Sequence, residues 1–319
     1  MDHPETPPKH VSIAKRLRRA HGMKVRALPL QPPRTLVVLG YLALHIGLGA
    51  GAALACHHLL HHRPGLGVPL YLPTAFWIGT RFRALGNMIH EASHNTLVRG
   101  RRMNRVLGHV LSIIDFVSFD EYVREHQSHH AYLGDPERDL DLGRRLRFGF
   151  REARPGIGWI HLLRPLSLLH VPALFGPTFF RKADPWQVSL GRALFLAALG
   201  ALCATIGASA FTLFYLVPFV LTYSVLRYWS DAFDHAACVD PSGDEFYLAR
   251  NHIARSRPLN YFLFPRNDQY HLVHHLFPAV PTSALPRVHD ILLRDEGYAG
   301  REHGLAGAIW PRARGTTAE

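Results

Sequence analysis

The sequence predicts an all-α integral membrane protein: four transmembrane helices with a cytoplasmic helical cap that carries clustered histidines. Three observations predict it. Hydrophobic residues make up 48% of the 319 residues and charged residues 19%, and the apolar ones gather in runs. About 20 consecutive apolar residues cross a bilayer, and four runs approach that length. The polar segments between them hold histidines at helical spacing, His90 and His94, then His126, His129 and His130, then His271, His274 and His275.

Residues 1–34 read as a basic cytoplasmic N-terminal tail, rich in proline and carrying Lys15, Arg16, Arg18, Arg19, Lys24 and Arg26. The basic region is too long for a signal peptide, and the positive-inside rule puts it in the cytoplasm. Residues 36–60 have no formally charged side chain and form the first span. His57, His58, His61 and His62 then fall in a short wet exterior loop, where imidazoles lack a rigid aim. The second span starts at Leu66 and continues past Arg81 and Arg83, which reach the interface, so that His90 and His94 lie below the membrane. Residues 105–119 are short for a span and read as re-entrant or interfacial. Residues 157–180 are broken by prolines and read as a segment lying on the membrane. Residues 190–206 and 210–229 form a hairpin of two spans around Gly207-Ala208-Ser209. Four spans, not five, put all histidine boxes and both termini on one side. The membrane domain covers 35–292, and 293–319 read as a polar C-terminal tail.

The net charge of +12 lies largely at the N-terminus and the ends of apolar runs, where anionic lipid is the simpler partner than nucleic acid. Cys56, Cys203 and Cys238 form no C-x-x-C pair, so neither a disulfide framework nor a thiolate metal site is indicated.

On a helix, residues three and four apart share a face. Each box therefore aims its imidazoles at one point, and imidazole suits zinc, copper, iron or nickel. Three boxes supply eight histidines. Four-coordinate zinc uses at most four ligands, so eight suggest two metals with open positions for a small reactant. Without cysteine ligands, iron is preferred and zinc second. An iron pair beside a membrane points to dioxygen-dependent attack on a C–H bond, chemistry that side chains alone do not supply, with an apolar substrate dissolved in the bilayer.

The stretches HEASH (90–94), EHQSHHAYLGDPERDLDL (125–142) and NDQYHLVHHLFPAVP (267–281) resemble the three histidine boxes of the membrane fatty-acid desaturase and hydroxylase superfamily, with a third box most similar to the bacterial fatty-acid desaturases. The resemblance implies a non-haem di-iron centre ligated by histidine and water. It also implies four spans under a cytoplasmic cap, dioxygen as co-substrate and two external electrons. It adds His235 as a ninth ligand, and it places Asp231 where some relatives carry an asparagine that meets the metal through water. A fatty-acyl lipid is the expected substrate, and a separate ferredoxin or cytochrome with its reductase the expected donor. Asp135, Asp139 and Asp141 are candidates to accept the second N–H of ligating histidines, and Asn267 is a further supporting group. The isolated His109, His161, His170, His252 and His289 are expected to be structural.

Two other classes compete. His90-Glu91-Ala92-Ser93-His94 matches H-E-x-x-H, a zinc peptidase pattern in which the glutamate is the general base, but that reading leaves two boxes unexplained. A metal transporter or haem carrier requires ligands at membrane depth, where His45 stands nearly alone. Within the favoured superfamily, a lipid or hydrocarbon hydroxylase is the alternative outcome.

Overall fold

The computed structural model describes residues 12–154, 156–172, 184–240 and 242–311. Regular structure among them is helical, with one isolated bridge between Ile253 and Gly304. Helix α1 (Ile13–Arg26) precedes two long antiparallel helices, α2 (Thr35–His62) and α3 (Pro64–Ser93), which pack along each other. Helix α4 (Arg101–Asp115) lies against α3, and α5 (Phe119–Ala131), α6 (Leu142–Arg147) and α7 (Ile157–Leu163) follow. Helices α8 (Trp186–Ile206) and α9 (Ala208–His235) then return through the apolar layer. The last third of the chain is a run of short helices, α10 (Glu245–Leu248), α11 (Arg257–Leu263), α12 (His271–Leu276), α13 (Leu285–Leu292), α14 (Glu296–Ala299) and α15 (Leu305–Ile309).

Three of these helices, α2, α8 and α9, are long and apolar enough to cross a membrane. Their apolar side chains stay exposed, Leu36 at 81% and Leu54 at 70%, which suits a lipid surround better than water. The 30-residue α3 packs beside them but carries Arg81, Arg83 and Glu91. The expected hairpin is tighter than the sequence suggests. Gly207 alone makes the turn, at φ 88°, a left-handed value that glycine reaches without a Cβ clash. Helix α9 is not regular. Thr212–Leu216 and Pro218–Tyr223 are wound as π-helix around Pro218, whose missing N–H breaks the ordinary ladder.

Some expectations are corrected and others gain detail. His57, His58, His61 and His62 are not in a loop; they occupy the last turns of α2, where the rings of His57 and His61, and of His58 and His62, lie side by side at a tilt. The segment 105–119 is mostly the amphipathic helix α4, whose buried Asp115 accepts a 2.6 Å hydrogen bond from the Tyr223 hydroxyl. The apolar stretch from 157 is a short helix and a 3-10 turn with Trp159, Leu163, Leu166 and Leu169 outward; 173–180 lie outside the described residues. The basic N-terminal segment contains a packed helix. Asp244 accepts from the backbone N–H of Ile13 and Ala14 at the start of α1, and Leu17 and Val25 of α1 join a core with Leu272, Leu276 and Val288. The segment after 292 is likewise packed: Tyr298 is fully buried, and α15 packs on α7 and α9.

Helices α3 and α9 approach closely at Gly79. A Cβ there would lie 2.2 Å from Thr222 Oγ1 and 3.0 Å from the backbone N of Tyr223. Gly79→Ile is therefore expected to cost about 1–3 kcal/mol through overpacking, read as a lower thermal midpoint in detergent. Gly200→Ile, where nothing lies within 4 Å, is expected to leave that midpoint unchanged. Equal midpoints for the two variants would contradict the crossing.

Candidate metal centre

Four separate parts of the chain deliver imidazoles to one buried place. Helix α3 brings His90, with His94 at its C-cap, and α5 brings His126, His129 and His130. Helix α9 ends on His235, and α12 holds His271, His274 and His275. Helix α5 starts at the Ser118 cap, whose hydroxyl accepts from Glu121 N–H, with Asp120 and Glu121 suiting its positive end. Helix α12 has six residues and no cap of its own. Asn251, twenty residues upstream, supplies one: its Oδ1 accepts from the N–H of Leu272 at 3.0 Å and of Val273 at 3.3 Å.

The boxes do not each aim at one point; each H-x-x-H-H divides between two. Ring nitrogens of His90, His94, His126, His130 and His274 lie within 4.8 Å of one another, and those of His129, His235 and His275 form a second such group. His271 belongs with the second, its Nε2 2.9 Å from His235 Nε2 and 3.0 Å from His275 Nε2. Helix geometry explains the division. His126 and His130, and likewise His271 and His275, are four apart and share a face. His129 and His274 stand about 100° around the helix from their neighbours and reach the other group. The groups abut, the rings of His130 and His275 being 4.3 Å apart.

Chemistry behind the rings favours a cation in front of them. In the second group every Nδ1 faces an oxygen: His129 to Asp139 at 3.1 Å, His235 to the Leu248 carbonyl at 3.0 Å, His271 to Asp234 at 3.4 Å and His275 to Glu245 at 3.8 Å. A neutral imidazole with its proton on Nδ1 presents Nε2 as a bare acceptor. These acceptors face one another; in the first group the Nε2 atoms of His94 and His126 also lie 2.8 Å apart, and those of His90 and His274 3.0 Å apart. Facing lone pairs repel unless a cation lies between them. The donor set, all nitrogen, fits an imidazole-loving transition metal.

Burial also keeps the rings neutral. It pushes His126, His129, His130, His271 and His274 well below the usual histidine range, with neighbouring imidazoles adding to the effect. At His129 the Arg145 guanidinium, 2.7 Å from Nδ1, is the next cause after burial. His275 is lowered by burial, against the opposing pull of Glu245.

The acidic candidates separate. Asp139 supports His129 directly. Asp141 and Asp231 do not touch a histidine; both grip Arg145, at 2.9 and 2.8 Å, and so act through it. Asp135 is half-buried and turns to its own loop, accepting from Glu137 and Arg138 N–H. Asn267 donates to the Thr282 carbonyl at 3.0 Å and lines a small cavity with Asn87, His90, Arg266, His271 and His274. Sequence reasoning missed Asp234, Glu245 and Asp268. Asp234 precedes His235, and that adjacency is the one signal that could have found it. His252, set apart as structural, is fully buried 3.2 Å behind Asp234, packed on Phe264. His161 and His289 meet tyrosine hydroxyls at 3.0 and 2.8 Å, away from both groups. Glu91 has both oxygens occupied by Arg266, through Nε and, at 2.8 Å, Nη2. It is not free to be the base of a peptidase.

A family model for fatty acid desaturases matches residues 66–304, a span that takes in all nine histidines. The chain is 29% identical over 248 residues to dihydrorhizobitoxine desaturase of Bradyrhizobium elkanii, covering 72% of this chain and 70% of that one. It is 24% identical to a probable fatty acid desaturase of Sorghum bicolor, over 64% and 58% of the two chains. It is also 26% identical to a sphingolipid delta(4)-desaturase of Drosophila melanogaster, over 63% and 59%. With three quarters of its length matched and its histidines gathered as described, the chain belongs to the fatty acid desaturase family.

Proposed function

We propose that the protein is an oxygen-dependent lipid desaturase that introduces a double bond into a fatty-acyl chain. The observation that carries this reading is the pairing of two abutting, all-imidazole groups beneath apolar helices. His90, His94, His126, His130 and His274 would hold one iron, and His129, His235, His271 and His275 the other. When bound, the irons supply the redox activation of dioxygen that side chains lack. The reaction balances as –CH2–CH2– plus O2, two electrons and two protons, giving –CH=CH– and two waters.

The chain's own residues do the rest. The Leu248 carbonyl would hold the proton of His235 on Nδ1, and the carboxylates of Asp139, Asp234 and Glu245 behind His129, His271 and His275 favour the same tautomer, which turns Nε2 inward. Arg145, held by Asp141 and Asp231, penalises protonation of His129. Helix α3 serves as the fourth span beside α2, α8 and α9; its lower end projects His90 and His94 out of the bilayer. Both hairpins then return the chain to one side, and basic residues at the N-terminus put that side, with both termini, in the cytoplasm. The outward Trp159, Leu163, Leu166 and Leu169 suit the interface. Electrons come from a separate ferredoxin or cytochrome with its reductase. The relatives are named for fatty-acid, sphingolipid and dihydrorhizobitoxine desaturation, and a fatty-acyl chain fits the bacterial-type third box.

Expression in a host with simple lipids, followed by mass analysis of its acyl chains, is expected to show new species lighter by two hydrogens. Species heavier by one oxygen would transfer the reading to a hydroxylase, and unchanged lipids would sink it. His274→Ala is expected to abolish turnover and lower bound iron, and His61→Ala to do neither. Full activity in the first variant would remove His274 from the centre. The metal-stripped protein should also be acid-sensitive. Its box histidines have folded pKa values below their unfolded value of about 6.5, so on acidification the unfolded chain takes up protons that the folded chain refuses. Stability is retained above that value and lost as pH falls below it. The thermal midpoint is expected to drop between about pH 7 and 5, and a flat midpoint would contradict neutral burial of the rings.

A further inference from the structure

Helix α3 has a second functional face beside its histidines. Arg83, Asn87 and Glu91 recur every four residues and so stand in a row along the helix. All three grip one turn, Pro265-Arg266-Asn267-Asp268, immediately before the third box. Arg83 Nη2 donates to Asp268 Oδ2 at 2.7 Å, and Asn87 Nδ2 to the Pro265 carbonyl at 2.8 Å. Arg266 forks onto both oxygens of Glu91. The row is buried: side-chain exposure is 2% at Glu91, 11% at Arg266 and 9% at Asp268. Ser230 of α9 donates to the same Asp268 oxygen at 2.6 Å, which ties in the helix that ends on His235.

The turn needs holding. Arg266 and Asn267 both have positive φ, 68° and 62°. Asparagine tolerates that region, but arginine reaches it only against a Cβ–carbonyl clash. The turn leads through Gln269 and Tyr270 into α12, which has no side-chain cap of its own at Tyr270. The register of α12 decides whether His274 meets His90, 3.0 Å away, and whether His271 meets His235. Histidines and clasp belong to the same two elements, with His90 directly before Glu91.

We propose that Glu91 and Arg266, with Asn87 and the Arg83–Asp268 pair, form a clasp that presets the first and third boxes for metal. Glu91 and Arg266 are thus positioning residues. This rests on the reading that the histidine groups bind metal. The ion pair does not earn its place through stability, because a buried pair is a weak source of it. Its fork fixes a direction and a distance between α3 and the turn.

The test uses the full-length protein in detergent, stripped and titrated with cobalt(II), whose ligand-field absorption reports nitrogen coordination. Unaltered protein is expected to bind two cobalt ions. No binding there would overturn the functional reading itself. Arg266→Ala is expected to weaken metal affinity about 10–100-fold, to change the cobalt spectrum and to lower kcat more than KM. Glu91→Gln, which keeps size and loses charge, is expected to fall between the two and carries the test should Arg266→Ala not fold. The exchanged pair, Glu91→Arg with Arg266→Glu, is expected to recover affinity over either single change. Unchanged cobalt affinity and spectrum in Glu91→Gln, or in a folded Arg266→Ala, would overturn the clasp while leaving the metal centre intact.

Discussion

To hold the proposed metal pair, nine imidazoles must face inward together with their lone pairs bare, and much of the structure around them suits that requirement. A protonated ring cannot ligate, and several protonated rings within 4.8 Å of one another would drive the cap apart. Burial disfavours the charged form of each, and the neighbours reinforce it, since every ring that stayed charged would raise the cost for the next. Neutrality alone leaves two tautomers. An oxygen within hydrogen-bond reach of Nδ1 chooses between them, as the Leu248 carbonyl does for His235 at 3.0 Å; Asp139 lies 3.1 Å from His129, while Asp234 and Glu245 stand farther behind His271 and His275, at 3.4 and 3.8 Å.

The N-terminal helix becomes intelligible from that need. Glu245 faces His275 and would be drawn to water without a second partner. Arg18 of α1 supplies one, and its guanidinium also donates to the carbonyls of Leu276 and, at 3.2 Å, His275. Arg16 reaches across to Asp295 in the segment after the third box, a pair that holds the Asp295 carboxyl down to about 2. A basic stretch that reads as a lipid-facing tail thus puts part of its charge into the cap, and its apolar Leu17 and Val25 into the same core as the third box.

What was legible in the sequence follows from locality. The long apolar runs and the H-x-x-H-H spacing are properties of a few consecutive residues, so helices and boxes could be read directly. His235 came only through family resemblance, because a lone histidine carries no period. The division of each H-x-x-H-H box between two groups was available from helix geometry, yet a box viewed alone aims at one point. The second target exists only once four segments meet. Glu245, Asp268 and Asn251 were illegible for the same reason: they act on a ring, a hydroxyl and a backbone N–H 30, 38 and 21 residues away, across contacts made by folding. Conversely, Asp135 matched the local pattern of Asp139 but lies on the outer side of its turn, where it serves Arg138.

Glu91 shows how far a motif can be trusted. Its sequence, His-Glu-x-x-His on a helix, is that of a zinc peptidase, and the two histidines do converge. The glutamate that would activate a water stands about 100° around the helix from His90, and that rotation can face either a metal-bound water or a neighbouring element. Here the neighbouring element arrives with Arg266, whose fork takes both carboxylate oxygens. A carboxylate committed in this way is a strut and not a base. The same five residues therefore encode two chemistries, and the choice between them lies 175 residues away, in the turn that precedes the third box.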